Sequence, residues 1–346
     1  MANISLRSPQ YKNIVAAASG SQQPLSVRCT INITSISGTQ YVLIKNNPVL
    51  NENVQFDISE LARDYINVGY STNYSPPNVS IVTSLVVFSG LNATGNALYT
   101  ATFIDTGFES YGTFEEGANP IILPTATKQY FIAPVPNGVD SSLTNPRFKI
   151  FLPYGKSTVV YHQSTFNQQI VQNVISPTDT VIGNQGGNAV VLVIERIDCT
   201  KYGDGVKIIF INKYGALQDL WFFLKQTKSL NRTNEKYKSN TIDYGTNAPA
   251  TYSLFNAPTK IFNTQGKQSH TLSSGYYPEF ANEFFEQLLL SEYVWMEKPS
   301  TTGGGNYQVP VIVKTSNIDF KTSVNDRLIQ YTIQFEESFD YINNIR

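Results

Sequence analysis

The sequence predicts a mainly β protein of two β-sandwich-like domains, the C-terminal one with an amphipathic helix packed on a sheet. Three observations carry that reading. Tyr (21) and Phe (20) are abundant while charged residues make up only 15%, a mixture that suits pleated surfaces better than long Glu/Lys-rich helices. Several short runs alternate apolar and polar residues, the period of a half-buried strand. Clusters of Gly, Pro, Asn, Ser and Thr separate those runs and supply turn chemistry.

A chain of 346 residues has room for two or three cores. The pattern divides it into an N-terminal β-sandwich-like domain with a short helix (1–107), a linker or extended arm (108–146) and a C-terminal β-rich domain (147–346). In the first, Val27–Ile33 (VRCTINI) alternates and Gln40–Ile44 pairs with it across a polar turn. Val54–Ile58 alternates again. Ser59 then reads as an N-cap, with Leu61, Ala62, Tyr65 and Ile66 on one helical face. Ile81–Phe88 and Leu98–Ile104 complete a set of short strands at sandwich-like spacing. The stretch 108–146 contains Pro120, Pro124, Pro134 and Pro136, which stiffen an extended chain.

The C-terminal domain begins with strands at Phe148–Leu152, Thr158–Tyr161 and Ala189–Ile197, and centres on Val206–Asn240. Its apolar run Val206–Ile211 breaks at Asn212-Lys213-Tyr214-Gly215 and resumes as Leu220-Trp221-Phe222-Phe223-Leu224. That is a hairpin, with Gly215 free to take the positive φ a β-carbon resists. Having little alternation, both runs should be covered on two faces. Thr251–Phe262 offers a strand pair interrupted by Pro258. Residues 278–291 (PEFANEFFEQLLLS) form the clearest helix, with Pro278 at its first position, Glu279 and Glu283 near the positive dipole end, and Phe280, Phe284 and Leu288 on one face. Tyr293–Met296, Val309–Lys314 and Leu328–Phe335 close the sheet.

Net charge is −1 with no sustained basic or acidic block, so no nucleic-acid recognition is expected. No uninterrupted apolar stretch reaches the ~18 residues of a membrane helix, so no membrane insertion is expected. Polar Ser8, Gln10, Lys12 and Asn13 interrupt what would be the apolar core of a secretory leader; a soluble, cytoplasmically made protein is expected. Cys29 and Cys199 both adjoin apolar runs and read as buried free thiols rather than as a disulfide.

Catalytic constellations are missing. His162 and His270 lack ligand spacing for a metal, no GxSxG marks a nucleophile elbow, and the GNQGGN and TTGGGN loops lack the Lys-Ser/Thr of a P-loop. The DCTKYGDG segment is a turn rather than a calcium loop. Glu115-Glu116 and Glu336-Glu337 are adjacent pairs, whose side chains in a strand point to opposite faces and so cannot form a glycosidase pair. Neither an enzyme nor a cofactor is expected.

The segments FINKYGALQDLWFF, SSGYYPEFANEFFEQLLLSEYVWM and VKTSNIDFKTSVNDRLIQYTIQFEESFDYINNIR, in that order, resemble structural proteins of tailed bacteriophages from the tail, neck or baseplate region. The resemblance covers about 206–346, and the SPQY start and FDISELARDY segment resemble the same group more loosely. It implies a virion protein, assembled as a ring or stack with copies of itself and with other virion proteins. It carries over no site residue. The competing expectation is a carbohydrate- or receptor-binding module at a tail tip, suggested by the aromatic supply. The polar continuation of the central hairpin is long enough to pass beyond the core, and Lys225, Lys228, Arg232 and Lys236 are the residues expected to meet a neighbouring subunit.

Overall fold

The computed structural model describes residues 2–17, 25–72, 74, 76–111, 128–129, 139–140, 147–153, 158–163, 169–174, 180–185, 188–197, 205–213, 215–243, 249–252, 255–300, 305–322 and 328–341. The fold is mainly β and sandwich-like. The N-terminal module contains β1 (Ala2–Ser5), β2 (Tyr11–Val15), β3 (Ser26–Ile33), β4 (Tyr41–Asn46), β5 (Asn53–Asp57), α1 (Ser59–Arg63), β6 (Asn78–Phe88) and β7 (Ala97–Phe108). Its five-stranded sheet runs β1-β7-β6-β3-β4, and the β2-β5 pair stands separately. Alternation decides the core: Val27, Cys29, Ile31 and Ile33 of β3 join Ile81, Leu85 and Val87 of β6 in one buried cluster with Val54, Phe56, Ile58 and Ala62. Burial within it pushes the Cys29 thiol up to about 11. Ser59, expected as the N-cap of α1, lies inside the helix. Ile58 takes the N-cap position without a side-chain cap, and one residue earlier the Asp57 carboxylate accepts from the Ser59 N–H at 3.0 Å and its hydroxyl at 2.7 Å.

In chain order, the strands that follow β7 are β8 (Lys128–Gln129), β9 (Val139–Asp140), β10 (Arg147–Pro153), β11 (Thr158–Gln163), β12 (Gln169–Val174), β13 (Thr180–Gln185) and β14 (Asn188–Ile197). They form a β10-β14-β13 sheet and the pairs β11-β12 and β8-β9. Most of the expected arm at 108–146, and Cys199, lie outside the described residues. The first four residues of that span are held: the Tyr111 N–H donates to the Lys213 carbonyl at 3.1 Å, and Glu109 and Ser110 are buried.

The C-terminal region contains β15 (Val206–Ile211), β16 (Leu217–Phe222), β17 (Gln226–Lys238), β18 (Ile242–Asp243), β19 (Thr251–Tyr252), β20 (Thr259–Ser273), β21 (Tyr277–Pro278), α2 (Asn282–Leu290), β22 (Val294–Pro299), β23 (Asn306–Val313), β24 (Leu328–Ile329) and β25 (Thr332–Glu337). Seven of these form one sheet in the order β16-β15-β22-β23-β25-β20-β17. Three residues alone join β16 to β17, although they are the sheet's opposite edges, so the sheet must curl until those edges approach. Hydrogen bonds from Phe223 and Leu224 N–H to the Ser274 and Ser273 carbonyls, both 3.3 Å, fasten the seam.

At one end the concave face is filled by α2. Phe285 is fully buried, with ring centroids 6.3 Å from Phe222, 5.6 Å from Tyr277 and 5.0 Å from Tyr331, all near-perpendicular, the edge-to-face geometry aromatic quadrupoles favour. The expected helix at 278–291 is shorter at its start. Pro278 is extended (φ −68°, ψ 156°) and pairs with Leu328 in β21-β24, so a 3₁₀ turn at Glu279–Ala281 leads into α2. Leu328–Phe335, expected as one strand, is two. At Tyr331 the backbone bonds to Ser274 on both sides, to its hydroxyl at 3.0 Å and from its N–H at 2.8 Å, and the chain changes partner from β21 to β20.

The modules meet over the convex face of β15. Ile209, Ile211, Leu217 and Trp295 pack with Tyr74, and Val68, Tyr70 and Tyr293 lie against them. Gly215 has φ +86°, and a β-carbon there would stand 3.1 Å from the Glu109 carbonyl oxygen, so both turn and close approach require glycine. Beside this contact Glu109 accepts from Arg63 Nε at 3.0 Å and Nη2 at 2.6 Å, and Arg63 also reaches Glu292 at 2.6 Å. Arg7 adds 3.2 Å contacts to Glu292 and to the Leu290 carbonyl. The hydrogen bonds that Arg63 donates to Glu109 raise its guanidinium pKa against the opposing effect of burial. Glu109 is the buried member, while Arg7, Arg63 and Glu292 keep partial contact with solvent, so the cost of losing its charge falls below that of a fully buried pair. Glu109→Gln is expected to lower stability by about 1–2 kcal/mol, read as an earlier guanidinium midpoint with the β-sheet circular dichroism of the native state unchanged.

Candidate functional site

Alternation along the curled sheet sorts its polar residues. Because His270 pairs with Phe335 and with Lys228, and Met296 with both Ile208 and Val309, the concave face carries Lys228, Gln268, His270, Met296, Lys298, Tyr307 and Glu337. At the end away from α2 these line an open cavity of about 650 Å³, with Val206 and Tyr341 at its edge. Apolar residues fill the α2 end of the same face and polar ones the mouth.

Glu337 is the centre of the mouth. It accepts from His270 Nε2 at 2.8 Å and is hydrogen-bonded to the Lys298 ammonium. Burial acts to raise its carboxyl pKa; hydrogen bonds from Lys298 and His270 outweigh that and hold it below its ordinary value. The ionised carboxylate is acceptor-only, so His270 donates through Nε2. Glu336 and Glu337 do point apart, as their adjacency predicts: Glu336 lies 3.8 Å from Lys314 while Glu337 faces the mouth. The cluster balances charge. Among the described residues, no group of three His, Cys, Asp or Glu side chains could hold a metal ion.

A second polar cluster sits on the convex face, where three parts of the chain meet. Asp219 of β16 is hydrogen-bonded by Tyr74 of the N-terminal module and Thr158 of β11, while Lys207 pairs with Glu297 at 2.7 Å. Burial pushes the Asp219 carboxyl up, against the pull of Lys207 and the two hydroxyls. These contacts join the N-terminal module, β11 and β16, and they give the half-buried Asp219 carboxylate its partners.

From the mouth β17 and β20 continue as a two-stranded arm. β25 supports β20 only over Ser269–Ser273, and the Tyr341 N–H reaches the Gly266 carbonyl at 2.6 Å. Beyond Gly266 the pair continues, among the described residues, without a third strand for roughly 20 Å at strand rise. A bulge between Glu235 and Lys236 interrupts the register and turns the tip. Tyr237 (47% exposed), Ile261 (46%) and Phe262 (46%) stand on this arm, and Phe255 at its end is 99% exposed. The four residues expected from sequence all lie here or at its root: Lys225 precedes β17, Lys228 lines the mouth, and Arg232 and Lys236 continue on Lys228's face, all exposed. The strand itself was not expected, because its alternation is between polar side chains. Glu337 and His270 were legible in principle, since Ile333, Phe335 and Glu337 alternate onto one face and Leu272 shares that face with His270.

Both tryptophans are core residues: Trp221 is 4% and Trp295 9% exposed. No helix among the described residues is long and apolar enough to cross a membrane. Neither a protein-family model nor a curated protein matches the chain.

Since the folded pKa of Glu337 lies below its ordinary value of 4.5, the cluster contributes stability above that pH and loses it as pH falls through the lower folded value. Glu337→Gln is expected to cost about 1–3 kcal/mol at pH 7, with a smaller deficit by about pH 3. An equal deficit at both pH values, in urea titrations, contradicts the assignment.

Proposed function

We propose that the protein is a non-enzymatic structural subunit of a tailed-bacteriophage virion, in the tail, connector-ring or baseplate region, which assembles with copies of itself and with other virion proteins. The observation that supports assembly is the arm. A two-stranded projection buries too little to be stable on the strength of its own contacts, and the apolar side chains it presents are those a partner would cover. The placement in a virion rests on the resemblance of residues 206–346 to phage structural proteins. The build of the rest of the chain suits that role: two cores are tied through buried ionic and apolar contacts, which leaves a stiff body from which one element projects.

A carbohydrate- or receptor-binding module needs exposed aromatic platforms in a groove. Trp221 and Trp295 are buried; Tyr307 and Tyr341 are exposed at the mouth, but they flank the ion-paired Glu337–Lys298–His270 cluster and form no continuous aromatic row, so the structural reading is favoured.

Mass spectrometry of purified particles is expected to detect the protein at a stoichiometry of several copies per virion; its absence from particles overturns the proposal. The double substitution Tyr237→Ser with Phe262→Ser, both far from either core, is expected to leave the melting temperature within about 2 °C and to lower incorporation into particles at least tenfold.

A further inference from the structure

Charge is unevenly spread along the fold. The strands of the arm, β17 and β20, carry Lys228, Arg232, Lys236, Lys238, Lys260 and Lys267 against the single carboxylate Glu235, a net +5 on a chain whose formal net charge is −1, which leaves −6 on the remainder. The opposite end of the curled sheet is the α2 end. Strand directions fix this: β20 runs from the arm's tip at Thr259 to the core at Ser273, and β22 runs from Val294 beside α2 to Pro299 at the mouth. At the α2 end the exposed Glu286 shares a helical face with Leu290 (49% exposed) and with Glu283, which pairs with Lys213, and Tyr276 (59%) and Phe320 (38%) are exposed nearby. One end of the molecule is basic with exposed aromatics. The other presents the exposed carboxylate of Glu286 among exposed apolar side chains.

Two copies could in principle pair their free β17 edges. An antiparallel self-pairing centred on Leu230, Arg232 or Asn234 sets cation against cation on one face, Lys228 opposite Lys236 in the second case, and like charges directly opposed are destabilising. Lys and Arg every four residues is also how natural edges are guarded against such pairing. A head-to-tail contact meets neither objection, since it sets the basic arm against a partly apolar surface with an exposed carboxylate.

We infer that the arm of one copy docks on the α2 end of the next, with Lys236 and Lys238, which share one face of β17, over Glu286, and with Ile261, the cross-strand partner of Lys236, against Leu290 and its exposed neighbours. The occupant of the α2 end is thus a second copy of this chain. The contact is heterologous, so repetition gives a ring or an open stack according to the rotation per copy. This deepens the structural-subunit reading and rests on it.

The test is charge exchange, followed by light scattering behind size exclusion and by negative-stain microscopy. The wild-type chain is expected to form oligomers that weaken with salt. Lys236→Glu with Lys238→Glu on the arm, and Glu286→Lys on α2, are each expected to lower self-association at least tenfold. Mixing the two variants is expected to restore oligomers, because each then offers the other matched charges. Native melting curves of both variants confirm folding, as all three side chains are exposed. If the arm variant dissociates and Glu286→Lys does not, or if mixing restores nothing, the α2 docking site is wrong while the structural-subunit reading stands. If the wild-type chain stays monomeric at every concentration and is missing from particles, that reading falls as well.

Discussion

Strand β15 is buried on both faces, and the architecture depends on that. Ile208 and Phe210 point into the concave core under α2, while Ile209 and Ile211 point into the cluster shared with Tyr74 and Trp295. A strand with one apolar face could serve one core only; this one serves two, so neither module can shift without exposing the other's side chains. Burial of four such residues is worth roughly 6–12 kcal/mol before entropy is counted, comparable to the whole stability of a domain. The Ser291 hydroxyl, at the C-terminal end of α2, accepts the Ile211 N–H at 3.2 Å, and Gln287 accepts that of Lys213 at 3.1 Å. The helix is therefore tied to the same strand.

A body fixed in this way places its remaining freedom in the arm. The charged groups around β15 have internal partners: Glu109 and Glu292 for the arginines at the junction, Tyr74 and Thr158 for Asp219, His270 and Lys298 for Glu337. Among the described residues, each strand of the arm beyond Gly266 pairs only with the other, and Tyr237 and Ile261 are half-exposed on it. Its cations sit opposite the α2 end along the sheet, so the molecule has a polarity that a head-to-tail assembly uses and a two-fold dimer does not.

Much of the fold was legible because it rests on local signals. The hairpin at Val206–Phe222 and its Gly215 turn follow from apolar runs and one glycine, and β3 and β25 from strict alternation. Elements shaped by long-range bonds were not legible in the same detail. Pro278 belongs to a strand because Leu328 pairs with it, and the last strand breaks at Tyr331 because Ser274 binds its backbone. The Arg7–Arg63–Glu109–Glu292 network joins residues up to 285 positions apart in number, with no spacing to announce it. The arm was half-visible: its cations stood out, whereas a polar strand exposed on both faces leaves no apolar period to read. Its functional weight comes from projecting beyond β25, a property of the sheet rather than of any residue.

Native-state hydrogen exchange measures the central claim most directly, that a body locked through β15 carries an arm awaiting a partner. In dilute protein the amides of Ile208–Ile211 are predicted to exchange only through global unfolding, while those beyond Gly266 and Arg232 toward the arm's tip exchange orders of magnitude faster. On assembly the arm amides gain protection and those of β15 do not change. If β15 exchanges through a local opening that frees the N-terminal module, or if the arm is as protected in the monomer as in the assembly, the account is wrong.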